Sequence, residues 1–186
     1  KRIMLVAGEA SGDALGGPLM AALTEQSSEQ PEFIGVGGSA MTAEGMASLF
    51  PISDLSVMGL AEILPRLRLI FRRMKQTETL ARETRPDIII TIDSPGFNFR
   101  LGKRLKYLGI PLVHYVAPTV WAWKPGRAKK IAQFLDHLLV LLPFEPPYFE
   151  IEGLDCTFVG HSAVSHLPGD GPAFRDRHDI SESAIV

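Results

Sequence analysis

The residues with the clearest chemical capacity lie in two loops, each of which follows a short apolar segment. The first loop, Gly8–Asp13, reads Gly-Glu-Ala-Ser-Gly-Asp. Its glycines let a ligand approach the backbone, and the helix expected after it offers unpaired N–H groups. Glu9 and Asp13 would repel a phosphate, so the loop suits a sugar whose hydroxyl groups donate hydrogen bonds. The alternative is a turn without a ligand, in which Ser11 and Asp13 cap the helix.

The second loop, Asp93–Asn98, reads Asp-Ser-Pro-Gly-Phe-Asn and follows the apolar segment 87–92. An aspartate at the carboxyl end of a central strand lies where open α/β sheets bind their ligands. Such a carboxylate can take the proton of an attacking hydroxyl group and act as a general base. The same residues also fit a turn or a helix cap built on Asp93 and Pro95, so both interpretations stay open.

A third segment, Gly35–Ala40, matches the G-x-G-x-x-G/A pattern of dinucleotide-binding loops. It follows the second apolar segment rather than the first, and no strand with an acidic end lies about 20 residues further on. Nucleophile turns of hydrolases fit less well, because Ser11 stands one position late for such a turn and Gly160–Val164 lacks the final glycine. A small α/β dinucleotide-binding module therefore remains the alternative function.

Both tryptophans, Trp121 and Trp123, lie within three residues after another apolar segment. They form either an aromatic plug in the core or a wall that shapes a cleft. Lys124 and the basic residues after it indicate either a solvated helix face or the neighbourhood of a phosphate group.

The segment Leu60–Lys75 is basic and amphipathic, with an apolar stripe at helical spacing. An ordinary surface helix explains most of this pattern. Leu69, however, falls on the polar side, where a core helix would not place it. The alternative is a helix whose apolar face dips into an anionic bilayer, with Leu67, Leu69, Arg72 and Arg73 as membrane contacts.

Short apolar segments alternate with helical stretches along the chain. The predicted strands are Arg2–Ala7, Glu32–Val36, Asp87–Ile92, Ile110–Val116, His137–Leu142 and Asp155–Val159, and the predicted helices are Ala14–Gln26, Arg66–Thr84, Asn98–Leu108 and Arg127–Leu135. Most strands are continuous apolar runs, which is typical of a parallel sheet covered on both faces. The alternation predicts an α/β fold with a doubly wound, mostly parallel sheet and right-handed crossovers.

The composition narrows the class of protein. Of 186 residues, 46% are hydrophobic and 22% are charged, so the chain is neither disordered nor of low complexity. No apolar run has the roughly 18 residues of a membrane-spanning helix, and no secretory signal is recognisable. The net charge of −2 argues against bulk nucleic-acid binding. Cys156 is the single cysteine, which excludes an internal disulfide and a zinc site of paired cysteines. We expect neither a metal nor a cofactor.

Seven segments carry a resemblance when they are taken together and in order. They are Gly8–Asp13, Gly35–Gly38 with Met41, Met58–Glu62, Asp93–Asn98, Trp121–Trp123, Leu142–Glu145 and Phe158–His161. One segment alone is a weak signal, but the ordered set resembles the lipid-A-disaccharide synthases. These are inverting glycosyltransferases of the two-domain GT-B type from Gram-negative bacteria. The likeness covers most of positions 3–161, and Ser162 departs from the family's usual proline at the expected hinge.

The resemblance implies a fold and a reaction. The fold is the Rossmann-like N-terminal domain of a GT-B enzyme. The reaction moves 2,3-diacylglucosamine from UDP to the 6-hydroxyl of 2,3-diacylglucosamine 1-phosphate and yields a β-1′,6-linked lipid A precursor disaccharide and UDP. The acylated sugar phosphate acceptor binds mainly the N-terminal domain and the UDP-sugar donor mainly the C-terminal one, without a metal. The family implies a cytoplasmic protein, peripheral on the inner face of the inner membrane. Whether it forms a homo-oligomer is not decided by the sequence.

The resemblance also assigns expected roles to matching residues. Asp93 is the expected catalytic base. Acceptor binding is expected at Glu9, Ser11, Gly12, Asp13, Met58, Gly59, Glu62 and Asn98. A substrate with two acyl chains also favours membrane contact by Leu60–Lys75.

The last part of the chain differs in composition from the rest. Residues 1–161 are expected to form the acceptor-binding domain. Residues 162–186 begin with a stretch rich in Ser, Gly and Pro and are expected to form a linker and the start of a nucleotide-sugar-binding domain missing from this chain. We therefore expect the chain alone to be inactive in transfer.

Overall fold

The computed structural model describes residues 1–55, 60–161, 164, 169–181 and 183–184, with the backbone alone for residues 60–65. The strands are β1 (Arg2–Ala7), β2 (Glu32–Val36), β3 (Ile88–Ile92), β4 (Leu112–Tyr115), β5 (His137–Val140) and β6 (Cys156–Phe158). The helices are α1 (Ala10–Gln26), α2 (Ser39–Ala43), α3 (Leu60–Thr84), α4 (Pro95–Leu105), α5 (Arg127–Ile131), α6 (Pro147–Glu150) and α7 (Gly171–Arg177), with 3₁₀ turns at Ile52–Asp54 and Lys106–Leu108.

The six strands form one parallel sheet in the order β2-β1-β3-β4-β5-β6. This confirms the predicted doubly wound α/β architecture. After β1 the chain moves outward to β2, and it then crosses back over β1 to place β3 on the other side. The direction of winding therefore changes between β1 and β3, and the crevice beyond their carboxyl ends is where such sheets bind ligands.

Each central strand supplies apolar side chains to both faces of the sheet. In β1, Met4 and Val6 join one core cluster, while Ile3, Leu5 and Ala7 join the other. The two faces are covered by helices, because side chains alternate along a strand and both faces must be removed from water. This burial explains why the strands are continuous apolar runs in the sequence.

Several boundaries differ from the sequence predictions, and three of the differences bear on the candidate site and on α3. Helix α1 begins at Ala10 rather than Ala14, so the first loop is shorter than expected. Strand β4 ends at Tyr115, because Val116 has a φ of 85° and leaves the extended conformation. Helix α3 begins at Leu60 rather than Arg66 and continues through Pro65. The apolar stripe that starts at Leu60 accounts for this longer helix.

Candidate functional site

The loops after β1 and β3 meet at the winding change of the sheet. Ala7 and Ile92 are paired neighbours at the carboxyl ends of these two strands. Beyond them, the hydroxyl of Ser11 donates a 2.7 Å hydrogen bond to Oδ2 of Asp93. The two loops singled out by their chemistry are therefore in direct contact, although 82 positions separate the two residues in the chain.

Asp93 is held in an unusual backbone conformation. Asp93 and Ser94 have φ angles of 52° and 45°, in the left-handed region that non-glycine residues rarely adopt. The backbone N–H of Asp93 donates to the carbonyl of Tyr115 at 2.9 Å, and its Oδ1 accepts from the N–H of Ser94 at 2.8 Å. Strained residues of this kind persist only where the surroundings determine them, and they cluster at functional sites.

Gly8 makes room for this strained turn. A Cβ atom at position 8 would lie 2.3 Å from Oγ of Ser94 and 2.4 Å from its Cβ. The glycine is therefore required by the close approach of the two loops rather than by its own backbone angles.

Asn98 holds the ends of the strands instead of reaching the crevice. It is 1% exposed, and its amide nitrogen lies 3.3, 3.0 and 2.8 Å from the carbonyl oxygens of Val6, Ile92 and Asp93. Its Oδ1 has no hydrogen-bond partner among the described residues. Because the amide nitrogen is committed to backbone carbonyls, the role expected for Asn98 changes from acceptor contact to positioning of Asp93.

Asp13 likewise serves the scaffold. Its buried carboxylate accepts hydrogen bonds from the backbone N–H groups of Gly38 at 2.7 Å, Ala40 at 3.0 Å and Met41 at 3.0 Å. It thus caps α2, not α1 as the ligand-free alternative suggested, and its oxygens are used in doing so. Gly12 is also structural, since a Cβ there would lie 2.9 Å from the carbonyl oxygen of Ile92.

The cap by Asp13 bears on the dinucleotide interpretation of Gly35–Ala40. The N–H groups that would bind a phosphate already bind the carboxylate of Asp13, and the N–H of Gly37 donates to Oγ of Ser48 at 3.1 Å. An internal anion thus occupies the position that the motif reserves for a ligand.

Glu9 stands at the exposed side of the same crevice. Partial burial of its carboxyl group raises its pKa above the usual value, and the negative charge of Asp93 raises it further. The carboxyl groups of Glu9 and Asp93 are therefore close enough to interact electrostatically, and carboxyl groups perturbed in this way are candidates for a functional site.

A buried histidine behind Asp93 was not singled out from the sequence. His114 is completely buried in β4, and burial lowers its pKa to about 4, so the ring is neutral near pH 7. Its Nδ1 lies 2.7 Å from Oγ1 of Thr91, and its ring packs on Phe99 with centroids 4.7 Å apart. Its Nε2 has no hydrogen-bond partner in the described part of the chain. The signal in the sequence is a pair of polar residues, Thr91 and His114, inside otherwise apolar strands.

The two tryptophans line the surface rather than the core. Trp121 is 43% exposed and packs edge-to-face on Phe144, with ring centroids 5.4 Å apart. Trp123 is 61% exposed, and Nζ of Lys124 lies 5.1 Å from the centroid of its ring. The core-plug interpretation is therefore wrong, because these loops extend beyond the ends of β4 and β5 where helices no longer cover them.

The four residues of α3 that were expected to contact a membrane separate into two groups. Arg73 donates through Nε to Asp54 at 2.7 Å, and its guanidinium lies 4.7 Å from the ring centroid of Phe50. Because the guanidinium of Arg73 is used in these contacts within the protein, we no longer expect Arg73 to contact lipid. Leu67 and Leu69 are half-buried and Arg72 is exposed.

Three expected acceptor contacts have no described geometry. Met58 and Gly59 lie outside the described residues, and the side chain of Glu62 does as well. In the part of the chain that is described, no three His, Cys, Asp or Glu side chains are grouped to hold a metal ion. None of the described helices combines the length and apolar character needed to cross a membrane.

Solved structures share this fold. The S. aureus MnaA–UDP co-structure aligns with a TM-score of 0.66 at 15% identity, covering 96% of this chain and 51% of that one. The UDP-GlcNAc 2-epimerase from Neisseria meningitidis bound to UDP-GlcNAc gives 0.61 at 10% identity, covering 88% of this chain and 47% of that one. At such identities the likeness concerns the fold alone.

Sequence comparison gives the family. Residues 3–180 match the family model described as lipid-A-disaccharide synthetase. The lipid-A-disaccharide synthase of Rhodospirillum centenum is 57% identical over 99% of this chain, and that of Paramagnetospirillum magneticum is 56% identical over 96%. In both cases the match spans 47% of the relative, so the chain spans about half the length of these curated relatives. With the family model matched over nearly all of its length, the chain belongs to the lipid-A-disaccharide synthetase family.

Proposed function

We propose that this chain forms the acceptor-binding half of an inverting glycosyltransferase. The whole enzyme transfers 2,3-diacylglucosamine from UDP to the 6-hydroxyl of 2,3-diacylglucosamine 1-phosphate, yielding the β-1′,6-linked disaccharide 1-phosphate of lipid A synthesis and UDP. The observation that carries the proposal is the Ser11–Asp93 contact at the winding change of the sheet, in a chain of this family. The UDP-sugar donor is assigned to the half of the relatives that this chain does not match.

Asp93 acts as the general base of this reaction. Its carboxylate takes the proton of the acceptor's 6-hydroxyl while that oxygen attacks the anomeric carbon of the donor. UDP departs from the opposite face of the sugar with the electrons of the broken bond, which inverts the configuration. Ser11 and the N–H of Ser94 each donate to one carboxylate oxygen and so fix its orientation. Glu9 accepts a hydrogen bond from another acceptor hydroxyl group.

Helix α3 is proposed to rest on an anionic membrane surface through Leu67, Leu69 and Arg72. Phe71, one turn after Leu67 on the same helix, is 54% exposed and would add an apolar side chain to this contact. The proposal includes a location on the inner face of the inner membrane, where the lipid substrates of the proposed reaction are. Co-sedimentation with phosphatidylglycerol vesicles tests the contact: Arg72→Glu reduces it, whereas the same charge change at exposed Lys129 of α5 does not. Equal losses in the two variants contradict this placement.

The dinucleotide-binding alternative has little support. Its phosphate loop, Gly35–Ala40, is filled by the carboxylate of Asp13. A phosphate would have to displace that carboxylate and then lie beside its negative charge.

A binding titration of this chain tests the proposal. Diacylglucosamine 1-phosphate in detergent micelles, UDP and NAD are offered as separate ligands, with empty micelles as the control. The proposal expects binding of the lipid sugar above the empty-micelle baseline and no binding of NAD. Binding of NAD without the lipid sugar overturns it and moves the site to Gly35–Ala40.

A further inference from the structure

A cavity of about 350 Å³ lies between α3 and the start of α4. Its volume is within the range of small-molecule sites. Six apolar side chains line it: Leu55, Leu67, Ile70, Phe71, Met74 and Phe97. Ser94, Gly96 and Arg100 complete the wall, and we call the whole the α3–α4 groove.

The groove adjoins the candidate catalytic site through Ser94. Ser94 lines the groove, and the residue before it is Asp93, whose Oδ1 accepts from the N–H of Ser94. A ligand that presents a hydroxyl group to Asp93 therefore has an apolar channel beside it. Gly96 leaves the entrance open, since a Cβ there would have no atom within 4 Å.

The far wall of the groove is fixed in place. Arg73 of α3 binds Asp54, the residue before Leu55, and stacks on Phe50. Met74 and Phe97 form a buried floor at 1% and 6% exposure, while Phe71 stays 54% exposed at the rim. A preformed apolar channel with an exposed aromatic rim suits a flexible hydrocarbon chain.

The groove also carries one positive charge. Arg100 is exposed and donates to the carbonyl of Gly96 at 3.0 Å, and among the described residues no carboxylate forms an ion pair with it. Although Arg100 is one helical turn after Gly96 in α4, its guanidinium reaches back to lie beside Gly96. It is available to an anionic group on a ligand whose chain lies in the groove.

We propose that the α3–α4 groove binds an acyl chain of the acceptor and that Arg100 pairs with the acceptor's phosphate. The inference rests on the proposed function and adds to it the location of the chain. Three chemistries then match one ligand: carboxyl groups for hydroxyls, an apolar channel for the acyl chain, and a guanidinium for the phosphate.

The test measures binding of water-soluble N-acylglucosamine 1-phosphates with acetyl, butanoyl, hexanoyl and octanoyl chains. Short chains avoid micelles and vesicles, so the bilayer does not contribute to affinity. Burial of one methylene corresponds to about a fourfold gain in affinity, so the dissociation constant should fall steeply along the series.

Phe71→Asp is the groove variant, and Phe158→Asp is its control. The two phenylalanines are 54% and 49% exposed, and Phe158 lies at the β6 edge of the sheet, so neither substitution removes a buried side chain. Phe71→Asp is expected to flatten the chain-length series to less than twofold overall, while Phe158→Asp keeps it. Arg100→Gln is expected to raise the dissociation constants of the phosphorylated ligands about tenfold. The dissociation constants of their dephosphorylated analogues should not change.

Each remaining outcome counts against a particular claim. If the dissociation constant falls equally steeply with chain length in Phe71→Asp and Phe158→Asp, the groove is not the acyl-chain site, and the proposed function still stands. A dissociation constant that does not change with chain length in the unmodified chain leads to the same conclusion. Loss of vesicle binding by Phe71→Asp with an intact series assigns this face to the bilayer instead. Absence of binding by every member of the series overturns the proposed function together with the groove.

Discussion

The hydroxyl of Ser11 donates a 2.7 Å hydrogen bond to Oδ2 of Asp93 and so joins the loops after β1 and β3. Asp93 and Ser94 both have positive φ, a conformation that local sequence does not favour. The direction of the carboxylate therefore depends on contacts made across the crevice. This dependence makes the site sensitive to small changes at positions that do not touch a substrate.

Replacing Asp93 by Asn tests its role as the base. The amide keeps the size and one hydrogen-bond acceptor but does not take up a proton at neutral pH. In a full-length protein that contains this chain, kcat is expected to fall about 10²–10⁴-fold with little change in KM. Initial rates of disaccharide formation measure it. The control is Asp155→Asn, at the amino end of β6, which should keep its rate. Activity of Asp93→Asn within a few-fold of the unmodified protein would assign the proton transfer to another group.

Gly8 and Gly96 provide a matched pair of glycines. Gly8→Ala places a Cβ within 2.4 Å of the side chain of Ser94 and forces the strained turn to move. We expect a loss of about 1–3 kcal/mol in the free energy of unfolding. Gly96→Ala has open space around its Cβ and lies in α4, so its stability should be unchanged or higher. Urea unfolding of both variants measures the difference, and equal stabilities would show that the loops separate at little cost.

Asn98→Leu removes the amide that binds three backbone carbonyls. The substitution keeps the branched shape and the number of side-chain heavy atoms but leaves the carbonyls of Val6, Ile92 and Asp93 without this donor. A loss of about 3 kcal/mol in unfolding free energy is expected. Exposed Gln133 is the control, since Gln133→Leu should change stability by no more than about 0.5 kcal/mol. If Asn98→Leu also stays within that range, the amide is not a structural tie.

His114 predicts a pH dependence of stability. Burial lowers its pKa from 6.5 to about 4. Between these two pH values the imidazole is protonated in the unfolded chain and neutral in the folded one. The neutral ring is compatible with folding above pH 6.5, and stability is lost as the pH falls from 6.5 towards 4. The loss from this group is of the order of 3 kcal/mol.

The measurement is a comparison with His114→Asn. Unfolding free energies are determined for both proteins between pH 7 and pH 4. Because carboxyl groups titrate in both proteins, only the difference between the two curves reports on His114. The variant should show the shallower decline, and parallel curves would mean that folding does not change the pKa of His114.

Much of the architecture could be predicted from the sequence. The periodicity of apolar residues determines the strand and helix order, because a strand buried on both faces needs a continuous apolar run and a covering helix needs an apolar stripe. The same patterns place Asp93 after a central strand and Glu9 after the first. The ordered motifs also gave the family, which the comparison confirmed.

The roles of individual polar residues depended on the tertiary structure. Asp13 ends the loop after β1 and Asp93 begins the loop after β3, and the local pattern does not show which of the two faces a ligand. In the fold, Asp13 turns inward to the N–H groups of α2, whereas Asp93 meets Ser11 across the crevice. Likewise, only the packing shows that Asn98 is buried and that Trp123 is exposed.

The physical reason is the range of the interactions involved. Secondary structure and family motifs depend on residues that are close together in the chain, so the sequence alone determines them. A hydrogen bond such as Ser11–Asp93 joins positions 82 residues apart, and its formation depends on the strand order that brings β1 beside β3. The groove between α3 and α4 likewise exists only because β3 enters the sheet between these two helices and they then pack against each other. The tertiary structure therefore decided which residues face a ligand and which hold the scaffold.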